Sequence, residues 1–293
     1  MEQFERVYLL TVGDYRTGRG VLIKDVHMRF DISKSADNKK KSNSATVELY
    51  NLSASTRAML DTDYLSVKLE VGYTAAGTRV VLEGNVVERR TAQQGPDMVT
   101  QLILGEGYTD LNHIRLKQTI PPGQTAKDVI EAAMGQLPGV VRGVFSGTNI
   151  NNPVVFGYPM DGSAKEVLND ICRDNNMEWR CDAGALYVND INGIHDKNIR
   201  SAPVLNESTG LIGIPYRTSS EGNRQKGDKR RTQGVQFKAL LNADFAPGQV
   251  VRIESKEVTG WYRINSARYY GGYDDQEWYV DCFCGIIIEE DLR

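Results

Sequence analysis

Apolar and polar residues alternate along most of this chain, and a helical period replaces the alternation only near its middle. ATVELYNLS alternates and stops at the turn-forming Asn51-Leu52-Ser53. STRAML follows as a short helical turn capped by Ser55. YLSVKLEVGY, TRVVLEGNVVERR and DMVTQLILGEG then read as strands, parted by turn signals at Ala75-Ala76-Gly77 and Gln94-Gly95-Pro96-Asp97. In the middle, TAKDVIEAA from Thr125 and SAKEVLNDI from Ser163 are two versions of one helix start. Thr125 and Ser163 are N-caps; Glu166 completes a capping box and Asp128 a shorter version of one. The apolar positions match in pairs, Val129 with Val167, Ile130 with Leu168, Ala133 with Ile171 and Met134 with Cys172, so each helix has one narrow buried face. After the second helix, MEWRC and ALYVND flank Asp182-Ala183-Gly184 as a β-hairpin, and VVRGVF after the first is a less distinct strand.

A second repeat ties the two ends together. SVKLE (66–70) matches VVRIE (250–254), Gly77-TRVVLEGNVVERR matches Gly260-WYRINSARYYGG, and GPDMVTQLILGEG matches DDQEWYVDCFCGII. Strand lengths and turn positions agree together, which favours duplication of one small β-barrel. The expected fold class is mainly β with an α+β insertion: two similar small β-barrels flanking a mixed α/β region. The expected boundaries are 1–111 for the first barrel, 112–200 for inserted helix-plus-hairpin lobes, and 201–293 for the second barrel.

Charge sharpens this picture. The chain is net −3, yet SKSADNKKKSNS (33–44) is net +3 and RTSSEGNRQKGDKRRT (217–232) is net +4, so the rest is strongly acidic. Both basic stretches are polar and loop-like, and the second interrupts the second barrel between GIPYR and GVQFKALL. A solvated loop is the commoner fate of such a run, but a loop projecting from a rigid barrel is also where binding residues sit. The residues expected to touch neighbouring molecules are Lys39, Lys40 and Lys41 in the first stretch, and Arg224, Lys226, Lys229, Arg230 and Arg231 in the second. Without a base-reading motif beside them, any nucleic-acid contact would be electrostatic and not sequence-specific. A protein target is favoured over DNA.

Chemistry is weakly signalled. The sequence has no P-loop, no GxGxxG after a strand, no HExxH and no GxSxG elbow. His27, His113 and His195 are scattered. Asp274-Asp275 and Glu289-Glu290-Asp291 read as solvated charge rather than a carboxylate pair. Cys172, Cys181, Cys282 and Cys284 include no CxxC, so buried free thiols are expected, with no metal and no cofactor. No apolar run approaches the roughly 18 residues of a membrane span, and MEQFERVYLL lacks a signal-peptide shape. Tyr269, Tyr270, Tyr273 and Trp278 cluster at one hairpin; they could stack sugars or bases, or form cross-strand pairs.

Several segments together resemble phage tail baseplate hub proteins. NSATVELYNLSASTRAML resembles the first-barrel segment of that family. TIPPGQTAKDVIEAA and DGSAKEVLNDICRDNNMEWRCDAGALYVND resemble its middle lobes. STGLIGIPYR and LLNADFAPGQVVRIESKEVTGWYRINSARYYGG…DDQEWYVDCFCG resemble its second barrel. The last stretch is the most specific, and the segments occur in the family's order over most of the chain. The resemblance implies a structural virion protein, not an enzyme: a homotrimeric hub of the contractile type, assembled in the host cytoplasm into the tail baseplate. It implies contacts with a central spike, the tail tube or tube-initiator protein, other baseplate proteins and the tape measure protein, and none with a membrane. Two barrels per chain would let three chains adapt a sixfold tube to a threefold spike. The sequence departs from some members in leaving no room for an appended lysozyme domain, so wall-degrading activity is not carried over. The alternative is a tail-tip protein binding carbohydrate or a receptor, for which the aromatic hairpin is the only candidate groove.

Overall fold

Strands with one buried face account for most of the chain, as in Met28–Ser35 and Trp278–Ile286, where every second side chain is buried. The computed structural model describes residues 5–13, 20–38, 43–62, 65–194, 202–219 and 233–287. The first part runs β1 (Arg6–Val12), β2 (Val21–Ile23), β3 (Met28–Ser35), β4 (Ser44–Tyr50), α1 (Ala54–Met59), β5 (Ser66–Tyr73), β6 (Gly77–Gln94) and β7 (Asp97–Gly105). The middle runs α2 (Tyr108–His113), β8 (Arg115–Ile120), β9 (Gln124–Thr125), α3 (Ala126–Met134), β10 (Val141–Phe145), β11 (Pro153–Val154), β12 (Tyr158–Ser163), α4 (Ala164–Asp174), β13 (Met177–Asp182) and β14 (Ala185–Asp190). The last part runs β15 (Val204–Leu205), β16 (Leu211–Ser219), β17 (Gln233–Leu240), β18 (Val250–Glu254), β19 (Thr259–Gly272) and β20 (Trp278–Ile286).

The two ends repeat one topology. The first unit is ordered β3-β4-β7-β6-β5 and the second β16-β17-β20-β19-β18, with every neighbouring pair antiparallel. Even a β-bulge is shared. Val87 is the extra residue where β6 meets Leu104 and Ile103 of β7, and Asn265 is the extra residue where β19 meets Cys284 and Phe283 of β20. The protein is thus mainly β, with two similar small barrels and a mixed α/β insertion. The barrels also join: β3 pairs antiparallel with β19 from Ser35↔Ser266 to Arg29↔Gly272, making one 13-stranded sheet over one continuous apolar cluster. On the outer face of this seam Arg268 Nε donates to both oxygens of Asp31 at 3.0 and 3.1 Å.

The insertion has its own apolar cluster, including Val129, Ile130, Val167, Leu168, Ile171 and Trp179. α3 and α4 start at Thr125 and Ser163, and both starts are complete capping boxes, so Asp128 closes a full box rather than the shorter one expected. Ser53, not Ser55, caps α1: its extended backbone (φ −58°, ψ 154°) lets its Oγ accept from Thr56 N at 3.1 Å, whereas Ser55 already lies in the first turn. β13 and β14 form the expected hairpin, with Ala183 and Gly184 both at positive φ (47° and 76°) as a type I′ turn requires. VVRGVF supplies β10, which lies parallel to β14.

Candidate assembly surfaces

β13 connects the insertion to the barrels because its two faces differ in chemistry. All six residues of MEWRCD are buried. Met177, Trp179 and Cys181 join the apolar cluster of the insertion, while Glu178, Arg180 and Asp182 alternate with them. Asp182 accepts from Lys34 of β3, and Lys34 Nζ also donates to Glu106, just past β7, at 3.0 Å. Asn43 Nδ2 donates to Glu106 at 2.6 Å and to the Cys181 carbonyl at 2.7 Å. Glu178 accepts from Arg263 of β19 and, at 2.8 Å, from Asn189 of β14. One strand therefore holds both barrels, through Lys34 and Glu106 of the first and Arg263 of the second. Lys34 stands opposite Ala267 in the β3–β19 pairing, so these contacts lie at the seam.

Buried charge on this scale persists only when paired. Lys34, Arg180 and Arg263 balance Glu106, Glu178 and Asp182. Burial opposes the Lys34 charge, yet Asp182 and Glu106 outweigh it and raise its pKa. Burial pushes the Asp182 carboxyl up, but Lys34 and Arg180 outweigh that and hold it below its ordinary value. For Glu106 burial wins over Lys34, and its pKa is raised.

The basic residues expected to carry partner contacts, Lys39, Lys40, Lys41, Arg224, Lys226, Lys229, Arg230 and Arg231, lie outside the described residues, as does His195. Their flanks are described. Asn38 N donates to the Trp179 carbonyl at 2.9 Å, anchoring one side of 39–42 against β13, and Asn43 anchors the other. Ser219 pairs with Gln233, so 220–232 connects two paired strands. Lys34, counted in the first basic stretch, is buried in the network above and serves the interior.

The other candidates resolve into core and surface. Tyr269 and Trp278 are 2% and 1% exposed. The Tyr269 hydroxyl donates to the Phe245 carbonyl at 3.0 Å, and Trp278 packs edge-on against Phe30. Tyr270 pairs across strands with Tyr279. Of the four aromatic residues of this hairpin, Tyr269 and Trp278 thus serve the core, while Tyr270 and Tyr273 stay half-buried. All four cysteines are free and buried, and burial raises the pKa of Cys181, Cys282 and Cys284. Among the described residues no group of His, Cys, Asp and Glu is arranged to hold a metal ion, and no helix is long and apolar enough to cross a membrane.

Comparison with known proteins places this architecture. Residues 9–284 match the family described as baseplate hub gp41. No curated protein matches by sequence. Among solved structures, a tail protein from Neisseria meningitidis MC58 is similar with a TM-score of 0.66 at 11% identity, covering 96% of this chain and 97% of that one. The 43 kDa tail protein of prophage MuSo2 from Shewanella oneidensis is similar at 0.65 and 9% identity, covering 98% and 99%. An E. coli component of the type VI secretion system, itself described as similar to the T4 tail proteins gp27 and gp5, gives 0.63 at 10% identity, covering 90% and 74%. At these identities the structures speak for the fold, and the family match speaks for membership. With residues 9–284 matched, the chain belongs to the baseplate hub gp41 family of phage tail proteins.

Proposed function

We propose that three copies of this chain form a baseplate hub in the virion tail, joining a sixfold tail tube to a threefold central spike. The carrying observation is the repeat of one five-strand order and one bulge position within a single chain of this family. Three such chains present six similar units toward the tube while keeping threefold symmetry toward the spike. The role is structural rather than catalytic. The partners are the spike, the tube or its initiator, other baseplate proteins and the tape measure protein, in a tail of the contractile type. The working units are 1–111, 112–200 and 201–293, a division supported by the separate apolar cluster of the insertion. Native mass measurement of the purified chain, with and without its spike, tests the copy number. Three copies are expected, alone or on meeting the spike; a stable dimer, or six chains in the assembled particle, sinks the reading. The basic residues Lys39–Lys41 and Arg224–Arg231 are proposed as contacts to an acidic protein face. Replacing Arg224, Lys226, Lys229, Arg230 and Arg231 with serine is expected to weaken hub–spike or hub–tube association and flatten its salt dependence. Unchanged affinity and salt slope would show that the stretch is a solvated insertion.

A further inference from the structure

The seam inside the chain has a counterpart that one copy leaves open. Residues 266–272 of β19 bond β20 on one side and β3 on the other. The shared topology and bulges set β6 against β19 and β16 against β3. Among the described residues, the matching stretch 88–94 of β6 bonds only β7, and β16 bonds only β17. Both edges are exposed. β16 presents Ile214 at 68% and Tyr216 at 59% exposure, and the bulged Val87 is exposed on β6. Unpaired edges with apolar side chains are templates for another strand.

We propose that Tyr216–Ser219 of β16 in one copy pair antiparallel with residues 89–92 of β6 in a second copy, in the register of the internal seam. Carrying the β3–β19 register across the repeat sets Ala92 opposite Tyr216, Thr91 opposite Arg217 and Arg90 opposite Thr218. Arg90 then occupies the place of Arg268, which reaches diagonally to Asp31, and Tyr216 occupies the place of Asp31, so a guanidinium–ring contact replaces the ion pair. Ala92 leaves room beside the ring. Pro215 has no N–H to give, so the ladder is confined to Tyr216–Ser219. A second copy fits better than an unrelated strand because the chain already makes this junction once, with the same strand positions. The inference rests on the three-copy reading and adds its interface: three seams within chains would alternate with three between them.

Directly opposed antiparallel residues lie within disulfide reach, and the native thiols are all buried, so introduced cysteines report the register. Ala92→Cys with Tyr216→Cys in one chain is expected to oxidise into covalent two- and three-chain species and nothing longer. Mixing the two single variants should give two-chain species only. Asp31→Cys with Tyr270→Cys, opposed in the internal seam, should close within single chains as the geometric control. Ala92→Cys with Ser219→Cys, out of register, should give under a tenth as much product. Three copies by native mass without the Ala92–Tyr216 crosslink overturn the seam and leave the three-copy reading intact. Covalent chains longer than three uphold the seam and overturn the closed threefold ring. A parent chain that remains single at every concentration, with and without spike, overturns both.

Discussion

Replacing Lys34 with methionine tests whether the charged face of β13 holds the insertion to the barrels. Methionine keeps most of the length of the side chain and removes its charge. Two buried carboxylates then lose their shared cation, but neither is stripped bare. Glu106 keeps Asn43 at 2.6 Å and the Ala183 N–H at 3.1 Å, and Asp182 keeps Arg180 at 3.6 Å. Removing one partner of a buried ion pair costs roughly 3–5 kcal/mol, and the retained contacts place this case at about 3 kcal/mol near pH 7. Urea unfolding followed by tryptophan fluorescence reads the change, since Trp179 lies in β13 itself. The pH dependence has a definite sign. Lys34 has a raised pKa, so its contribution is present throughout the neutral range and is lost only as pH rises through that raised value. Asp182 has a lowered pKa, so its contribution is present above the ordinary carboxylate range and is lost as pH falls through the lowered value. Without Lys34 both carboxylates protonate more readily, so the gap between parent and variant narrows as the solution is acidified. Adding Glu106→Gln to Lys34→Met should recover more than about 1 kcal/mol, because the pair is coupled and the uncompensated charge is gone. Arg79→Met, which breaks an exposed pair with Asp244, is the control and should cost under about 1 kcal/mol. A Lys34→Met loss below about 1 kcal/mol at pH 7, or a double variant that is the plain sum of its singles, would refute the reasoning.

Three further outcomes are expected. Thiol titration of the unreduced chain should find all four cysteines after unfolding and almost none before it; fewer than four would mean a bond or modification absent from this structure. Burial pushes the Tyr8, Tyr73 and Tyr158 hydroxyls up to about 12, so absorbance at the phenolate band should show them un-ionised at pH 11 while the fold persists. Because unfolding frees these tyrosines to ionise near pH 10, stability should fall as pH rises from there toward 12, and a flat profile over that interval would contradict their burial. Ser163→Ala, which removes the cap of α4, should cost about 1 kcal/mol, whereas Leu168→Ala in the core of the insertion should cost roughly 2–5 kcal/mol; equal costs would mean that α4 is not anchored by its apolar face.

Local physics was enough to read much of this protein from its sequence. Alternation marked the strands, and paired apolar positions behind Thr125 and Ser163 marked the two helices, because strand and helix periods differ and each buries one face. Asp182-Ala183-Gly184 announced its hairpin because that turn needs two residues at positive φ. Matching successive strands exposed the duplication, and collinear segments exposed the family. The shared bulge, however, sets Leu82 rather than Gly77 in the place of Gly260, because β6 runs longer ahead of its bulge than β19 does. Tertiary structure alone decided where charged and aromatic residues went. Lys34 looked like one more cation in a basic stretch, and only folding brings it beside Glu106 and Asp182, distant in the sequence. MEWRC read as an ordinary hairpin strand, although its polar face is buried as deeply as its apolar one; a strand's period shows that two faces differ, not what covers each. Tyr269 and Trp278 could from sequence alone have stacked a ligand or paired across strands, and the register of β19 and β20 turned both inward. The β3–β19 seam left no local mark either, because it joins backbone edges, and hydrogen bonds between main chains are indifferent to the side chains by which a sequence is read.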